Sequence, residues 1–380
     1  MASRAIRSPL SSWWWTVDRW LLAGIVSLIV LGLVLIMAAS PAVAERINLP
    51  TFHFVHRQFI YLAPALFLMG ATSFLSPRHV RRAALLIYFG SLALVFLALI
   101  YGAEVKGARR WIFGIQPSEF IKPCFVILAA WAFAEGAKRR GFPGTTLAVL
   151  LLPMTIVPLI LQPDFGQTML IVFVWAGLFF VAGLHWLWVA GIGGLGAAGV
   201  FAAFKFLPHV RGRILRFIDG GTQGGGVGDT FQVDTAMKAL VEGGWLGVGP
   251  GEGQVKRMLP DSHTDFIFAV MGEEFGAVAC IALATLFCAV VLRGLSLARR
   301  DDDPFCRFAA SGLVMLFGLQ SCINMMVNLQ MMPAKGMTLP FISYGGSSLI
   351  SLALLIGFLI ALTRRRPSQG MAEYGRVRED

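Results

Sequence analysis

Apolar residues gather in ten long blocks along this chain, each close to the ~20 residues a helix needs to cross a hydrocarbon core. They predict spanning helices near 20–40, 59–76, 82–101, 119–136, 145–161, 167–184, 186–207, 265–293, 306–330 and 339–363. Gly183-Leu184-His185 is all that separates the sixth block from the seventh. The longest polar interval, 208–264, follows the seventh. The pattern divides the chain into a short N-terminal segment (1–19), an all-α polytopic membrane domain (20–363) with a large loop at 208–264, and a C-terminal tail (364–380). Ten crossings return both termini to one side.

Basic residues select that side. Arg4, Arg7 and Arg19 precede the first span; Arg78, Arg81 and Arg82 separate the second from the third; Lys138, Arg139 and Arg140 follow the fourth. Arg293, Arg299, Arg300 and Arg307 surround the connection after the eighth, and Arg364, Arg365 and Arg366 follow the tenth. All these clusters fall on one face, which makes it the cytoplasmic one. Trp13, Trp14, Trp15 and Trp20 fit an aromatic belt at the interface.

The opposite face departs from that rule. Lys106, Arg109 and Arg110 follow the third span, and the long loop carries Arg211, Arg213, Arg216, Lys238, Lys256 and Arg257. Long loops cross regardless of charge, which is the plain explanation; the sharper one is an anionic ligand on the outer face. The loop is also rich in glycine, at Gly220-Gly221, Gly224-Gly225-Gly226 and Gly247-Val248-Gly249. Residues 230–242 have the spacing of a short amphipathic helix stopped by Gly243-Gly244.

Composition narrows the classes. With 57% hydrophobic and 14% charged residues the chain is an integral membrane protein. Its net charge of +11 has no soluble basic domain through which to bind nucleic acid, so anionic lipid-like ligands are the economical partners. The first apolar block lacks a small-residue cleavage site and reads as a retained span. The five cysteines have no metal-ligand spacing and read as buried or lipid-facing thiols. No Walker pattern or complete dinucleotide fingerprint is present.

Candidate chemistry centres on 259–270, where Asp261, His263 and Asp265 run straight into an apolar block. A carboxylate at that boundary is expensive unless paired or used. Asp265 as the N-cap of the eighth span is the structural alternative, and capping and catalysis are compatible. Glu273 and Glu274, two turns deeper, read as partners for other helices. Glu119 and Lys122 share a helix face at the start of the fourth span, either as an internal ion pair or as a device that orients a nearby acid. Turn chemistry accounts for Gln162-Pro163-Asp164-Phe165-Gly166, yet it also sets Asp164 at the membrane level of Asp265. The segment from Pro333 to Ser348, with Lys335 and Ser343, is broken helix at membrane depth, tolerated where it is protein-buried or lines a watery cavity.

Five blocks then carry a resemblance: Gly107-Ala108-Arg109-Arg110-Trp111-Ile112, Gln116-Pro117-Ser118-Glu119-Phe120-Ile121-Lys122, Gln162-Pro163-Asp164-Phe165-Gly166, His263-Thr264-Asp265-Phe266-Ile267-Phe268-Ala269-Val270, and Leu339-Pro340 through Ser348. In that order they resemble the shape, elongation, division and sporulation (SEDS) proteins, over nearly everything from first span to last. Residues 335–348 look more like the division branch than the elongation branch. The resemblance implies a peptidoglycan glycosyltransferase that polymerises lipid II on the periplasmic face of the bacterial inner membrane, at the division septum, releasing undecaprenyl pyrophosphate. It implies a class B penicillin-binding protein (an FtsI-like transpeptidase) as crosslinking partner, among other division proteins of the membrane.

The family's essential aspartate matches Asp265, its acid and base pair matches Glu119 and Lys122, and its outer-loop arginines match Arg109 and Arg110. On this reading Asp265 is the general base. Arg109, Arg110, Arg211 and Lys256 are available to the pyrophosphate, and His263, Asp164, Lys335 and Ser343 to the rest of the substrate. Likeness to lipid-phosphate enzymes admits a divalent cation, Mg2+ or Mn2+, although no motif demands one. A lipid II flippase and a non-catalytic scaffold of the division machinery are the competing readings.

Overall fold

The computed structural model describes residues 9–105, 108–139, 141–183, 186–206, 211–212, 229–333 and 336–365. Helices account for most of them. In chain order they are α1 (Pro9–Thr16), α2 (Arg19–Arg46), α3 (His53–Ser73), α4 (Pro77–Tyr101), α5 (Pro117–Lys138) and α6 (Gly144–Leu161). There follow α7 (Phe165–Val181), α8 (Trp186–Phe206), α9 (Asp229–Gly243), α10 (Ile267–Ala298), α11 (Pro304–Asn328) and α12 (Gly346–Thr363). A small antiparallel hairpin, β1 (Ala103–Val105) and β2 (Ala108–Trp111), joins α4 to α5.

Each of the ten apolar blocks is a helix, and α9 is the short amphipathic helix expected in the long loop. Among the described residues α2, α4, α5, α6, α10, α11 and α12 are long and apolar enough to cross a membrane; α7 is a shorter apolar helix. Several are started by side-chain caps followed by proline. Ser76 accepts the His79 N–H before Pro77, and Asp303 accepts the Phe305 N–H before Pro304. Such residues satisfy the donors that a helix start leaves orphaned.

Several boundaries depart from expectation: α2 runs on to Arg46, not 40, α4 begins at Pro77, not 82, and α10 runs on to Ala298, not 293. The second span begins at His53, not 59, because its polar first turn, with His56, Arg57 and Gln58, continues the helix beyond the apolar block. The tenth begins at Gly346, not 339. Leu339, Phe341 and Ile342 are apolar because they are buried in the protein, not because they are helical.

Contacts sort the helix ends into two sets. At one end Arg293 holds Asp18, Lys138 pairs with Asp303 at 2.6 Å, Arg364 reaches the Phe74 carbonyl, and Arg81 lies over Trp131. Members of four of the basic clusters thus lie at one end of the bundle. At the other end Arg46 reaches Pro260, Gln116 reaches Ser347, and Arg110 reaches Gln162 and Pro163. The centre belongs to α5 and α12, whose apolar stretches are the most deeply buried of the spanning helices.

Helix α10 is broken. Gly276 has φ 81° and ψ 177°, and a side chain there would strike the Trp245 carbonyl. The break frees backbone groups that a helix would otherwise pair, and the loop after α9 takes them. Val248 N and Gly249 N donate to the carbonyls of Glu273 and Glu274, while Ala277 N and Val278 N donate to those of Gly244 and Trp245. Irregular backbone inside a membrane protein survives only when its polar groups are satisfied this way.

Candidate active site

The turn 261–266 delivers Asp265 to a cavity of about 740 Å³, whose lining also includes Arg57, Arg110, Glu119, Asp164, Thr264 and Tyr344. These residues come from α3, β2, α5, the α6–α7 turn and the 336–345 segment, so no short stretch of sequence contains the site. The turn closes on itself through Thr264 N and Phe266 N, both donating to the Asp261 carbonyl. Gln232 of α9 donates to the Asp261 carboxylate at 3.1 Å, tying the long loop to the same turn.

Asp265 is not the cap of α10. Phe266 occupies that position and makes no side-chain cap bond. The acceptor that a capping aspartate would offer comes instead from Asn328 of α11, whose Oδ1 takes the Ala269 N–H at 3.1 Å. The Asp265 side chain lines the cavity.

Glu119 and Lys122 form the ion pair their spacing predicts, with Nζ 2.9 Å from Oε2 and both side chains almost wholly buried. Two amides complete their surroundings. Gln167 donates to Glu119 Oε1 at 2.6 Å, and Lys122 donates to Gln320 Oε1 at 3.1 Å. A buried pair is tolerable when further hydrogen bonds support it, and these two amides supply one to each partner.

Arg110 lines the same cavity. Its Nε donates to the Gln162 carbonyl at 3.0 Å and one terminal nitrogen to that of Pro163 at 2.6 Å; another lies 3.6 Å from Asp164 Oδ2. Asp164, which caps α7 through the Gln167 N–H, is 2% exposed. Burial pushes its carboxyl above the usual aspartate range, with Arg110 pulling partly the other way.

Other candidates lie elsewhere. Arg109, beside Arg110 in sequence, faces outward and pairs with Glu104 at 3.8 Å, and it is absent from the cavity lining. Alternation along β2 separates the two. Arg211 lies over the Phe204 ring, 5.9 Å from its centroid. Lys256 is buried, bonded to Glu274 and to the Ala38 carbonyl at 3.0 Å, and does not line the cavity. Glu273 accepts the N–H groups of Val255 and Lys256. The two glutamates therefore serve the folded-back loop and not other spanning helices.

His263 packs its ring against Phe54 and Tyr344. Ser343 accepts from Leu339 N and donates to the Thr264 carbonyl at 2.5 Å, fastening the 336–345 segment to the Asp265 turn. Lys335, Lys106, Arg213, Arg216 and the glycines of 220–226 lie outside the described residues.

The structure adds Arg57, Tyr61 and Asn324 to the lining, all unremarked in the sequence, together with Tyr344 from the 339–348 block. Burial raises the Tyr344 phenol above its usual range, opposed by a hydrogen bond with Arg57. The polar first turn of α3 was the available signal for Arg57. Among the described residues no group of three or more His, Cys, Asp or Glu side chains is arranged to hold a metal ion.

Comparisons with known proteins bear on this geometry. Residues 19–367 match the FtsW/RodA/SpoVE family model, described as cell cycle protein. A probable peptidoglycan glycosyltransferase FtsW of Caulobacter vibrioides (strain NA1000 / CB15N) is 44% identical over 385 residues, covering 100% of this chain and 97% of its own. One from Geobacter sulfurreducens (strain DL-1 / KN400) is 34% identical, over 90% of this chain and 93% of its own. Among solved structures, the rod shape determining protein RodA of Thermus thermophilus matches with a TM-score of 0.68 at 28% identity, over 92% of this chain and 97% of that one. A chain from work on the structural coordination of polymerization and crosslinking by a peptidoglycan synthase complex matches with a TM-score of 0.75 at 28% identity, over 91% and 97%.

Proposed function

Because the chain belongs to the FtsW/RodA/SpoVE family of cell cycle proteins, we propose that Asp265 is the general base with which it polymerises lipid II. The protein is a multi-pass membrane enzyme, a peptidoglycan glycosyltransferase. The observation that carries the mechanism is the convergence of Asp265, Glu119 and Arg110 on one cavity from distant parts of the chain.

The acceptor's sugar hydroxyl gives its proton to the Asp265 carboxylate as its oxygen attacks the anomeric carbon of the growing strand. The bond from that carbon to the pyrophosphate oxygen breaks, and undecaprenyl pyrophosphate leaves. A positioned base supplies about 100- to 10,000-fold. Arg110, held by two carbonyls with its charge toward the cavity, offsets the charge growing on the leaving group. The Glu119–Lys122 pair forms a fixed dipole in the wall and orients the substrate against Asp265.

The cavity end is the periplasmic face of the inner membrane, and the end carrying the basic clusters and the termini is cytoplasmic. The partner is a class B penicillin-binding protein that crosslinks the strands at the septum. A flippase needs a path open at both ends; the cavity's lining comes from one end of the helices, which supports the polymerase.

Purified protein, alone and with its penicillin-binding partner, should convert lipid II into glycan polymer resolved on a gel. Asp265→Asn should convert none at matched expression. Normal strand synthesis by that variant would remove the assignment.

A further inference from the structure

Helix α11 carries three amide side chains, Gln320, Asn324 and Asn328, at i, i+4 and i+8 on one face. They are 2%, 2% and 0% exposed in a largely apolar helix. Buried amides are costly unless hydrogen-bonded, so where their bonds go is informative. Some buried hydroxyls bond back to their own helix, as Thr72 does to Leu68, Thr155 to Leu151 and Ser321 to Phe317, while others, such as Ser40 and Ser351, bond outside it. All three amides reach out of the helix, although Asn328 also donates back to the Asn324 carbonyl at 2.9 Å. Gln320 accepts Lys122 and donates to the Thr338 carbonyl at 3.1 Å. Asn324 donates to the carbonyls of Asp265 at 2.8 Å and Met337 at 2.6 Å. Asn328 donates to the Asp265 carbonyl at 3.1 Å and accepts from Ala269 N.

We propose that this stripe is the positioning element of the active site, with Asn324 as the residue that fixes the Asp265 turn against the 336–345 segment and, through Gln320, against the Glu119–Lys122 pair. Eight residues of helix span about 12 Å, so one rigid rod sets the separation between the base and the ion pair across the cavity. Asn328 also supplies an acceptor to the start of α10. Asn324 reaches the cavity itself, but its amide nitrogen is directed at two carbonyls, and it acts through the residues it holds. The inference rests on the reading of Asp265 as the base.

Ordinary interhelical amide contacts would stabilise the bundle and leave the turnover of folded molecules unchanged. Positioning predicts otherwise, because a displacement of about 1 Å at a reacting group can cost about 100-fold in rate. The full-length protein is assayed on lipid II as wild type, Asn324→Leu, Asn328→Leu and Asp265→Asn, with thermal unfolding followed in parallel. Expected is a fall in kcat of about 100-fold for Asn324→Leu, with KM for lipid II within about twofold of wild type. If the leucine variants do not fold, Asn324→Ser, which leaves room for a bridging water, should show the same split between kcat and KM. Wild-type kcat per folded molecule in the Asn324 variants, beside an inactive Asp265→Asn, overturns this inference alone. An active Asp265→Asn overturns the base assignment and this inference with it.

Discussion

Glu119–Lys122 and Glu274–Lys256 are the same chemical object placed in two settings. Each joins a carboxylate to an ammonium, and no member of either pair is more than 6% exposed. The first stands in the wall of the cavity that holds Asp265; the second seals the long loop into the break of α10 and lines no part of that cavity. Burial, charge and pairing are equal in the two, so none of them marks function. What separates the pairs is that Glu119 lines the cavity of Asp265, whereas neither Lys256 nor Glu274 does.

The comparison breaks most easily at Lys256. Removing one partner of a buried pair leaves the other charge unsolvated and costs about 3–5 kcal/mol. Lys256→Met should therefore lower thermal stability by about that amount, with the double variant Lys256→Met/Glu274→Leu recovering much of it. Molecules that remain folded should polymerise lipid II at close to the wild-type rate. A stable Lys256→Met protein with lost turnover would return Lys256 to the list of substrate contacts.

Glu119→Gln tests the other half. It should lower kcat per folded molecule by about 100-fold, at a stability cost like that of Lys256→Met, because Gln keeps a single acceptor oxygen where Gln167 and Lys122 each used one, and Lys122 loses its counter-charge. Adding Lys122→Met should cost little more than the worse single change, since residues acting as a unit are not additive. Full additivity in the rate would show that the two act separately.

How legible this was in the sequence follows from the same contrast. The ten helices were visible because water and hydrocarbon dictate composition directly, and Asp265 was visible because a carboxylate at a span boundary is anomalous. Lys256 looked like a cation for pyrophosphate because its partner, eighteen residues later, is brought to it only by the break at Gly276. The apolar run Leu339 to Ile342 looked like helix because burial in protein and burial in lipid select the same residues. Gln320, Asn324 and Asn328 were on view at helical spacing, but amides carry no charge and a search for charges passes over them.

A third ion pair gives the smallest effect and calibrates the other two. Asp18 and Arg293 join the start of α2 to α10 at the end away from the cavity, and Asp18 also accepts the Leu21 N–H as the cap of α2. Burial opposes the charge on Asp18, but the bonds from Arg293 and the helix start outweigh it and hold its carboxyl below the usual range. A folded-state pKa below the unfolded one means stability that is complete above the unfolded value, about 3.9, and is lost as pH falls through the folded value. The pair is partly solvent-exposed, so its contribution is about 0.2–1 kcal/mol. Asn caps a helix as well as Asp does, so Asp18→Asn removes the charge and keeps the cap. Thermal midpoints of wild type and Asp18→Asn should differ slightly and constantly near neutral pH, and converge as the solution is acidified below about pH 4. A midpoint for Asp18→Asn above that of wild type near neutral pH would mean that Asp18 is destabilised by its surroundings. The exposed pair would then resemble neither of the buried ones, and pairing alone would have lost its value as a guide even outside the membrane.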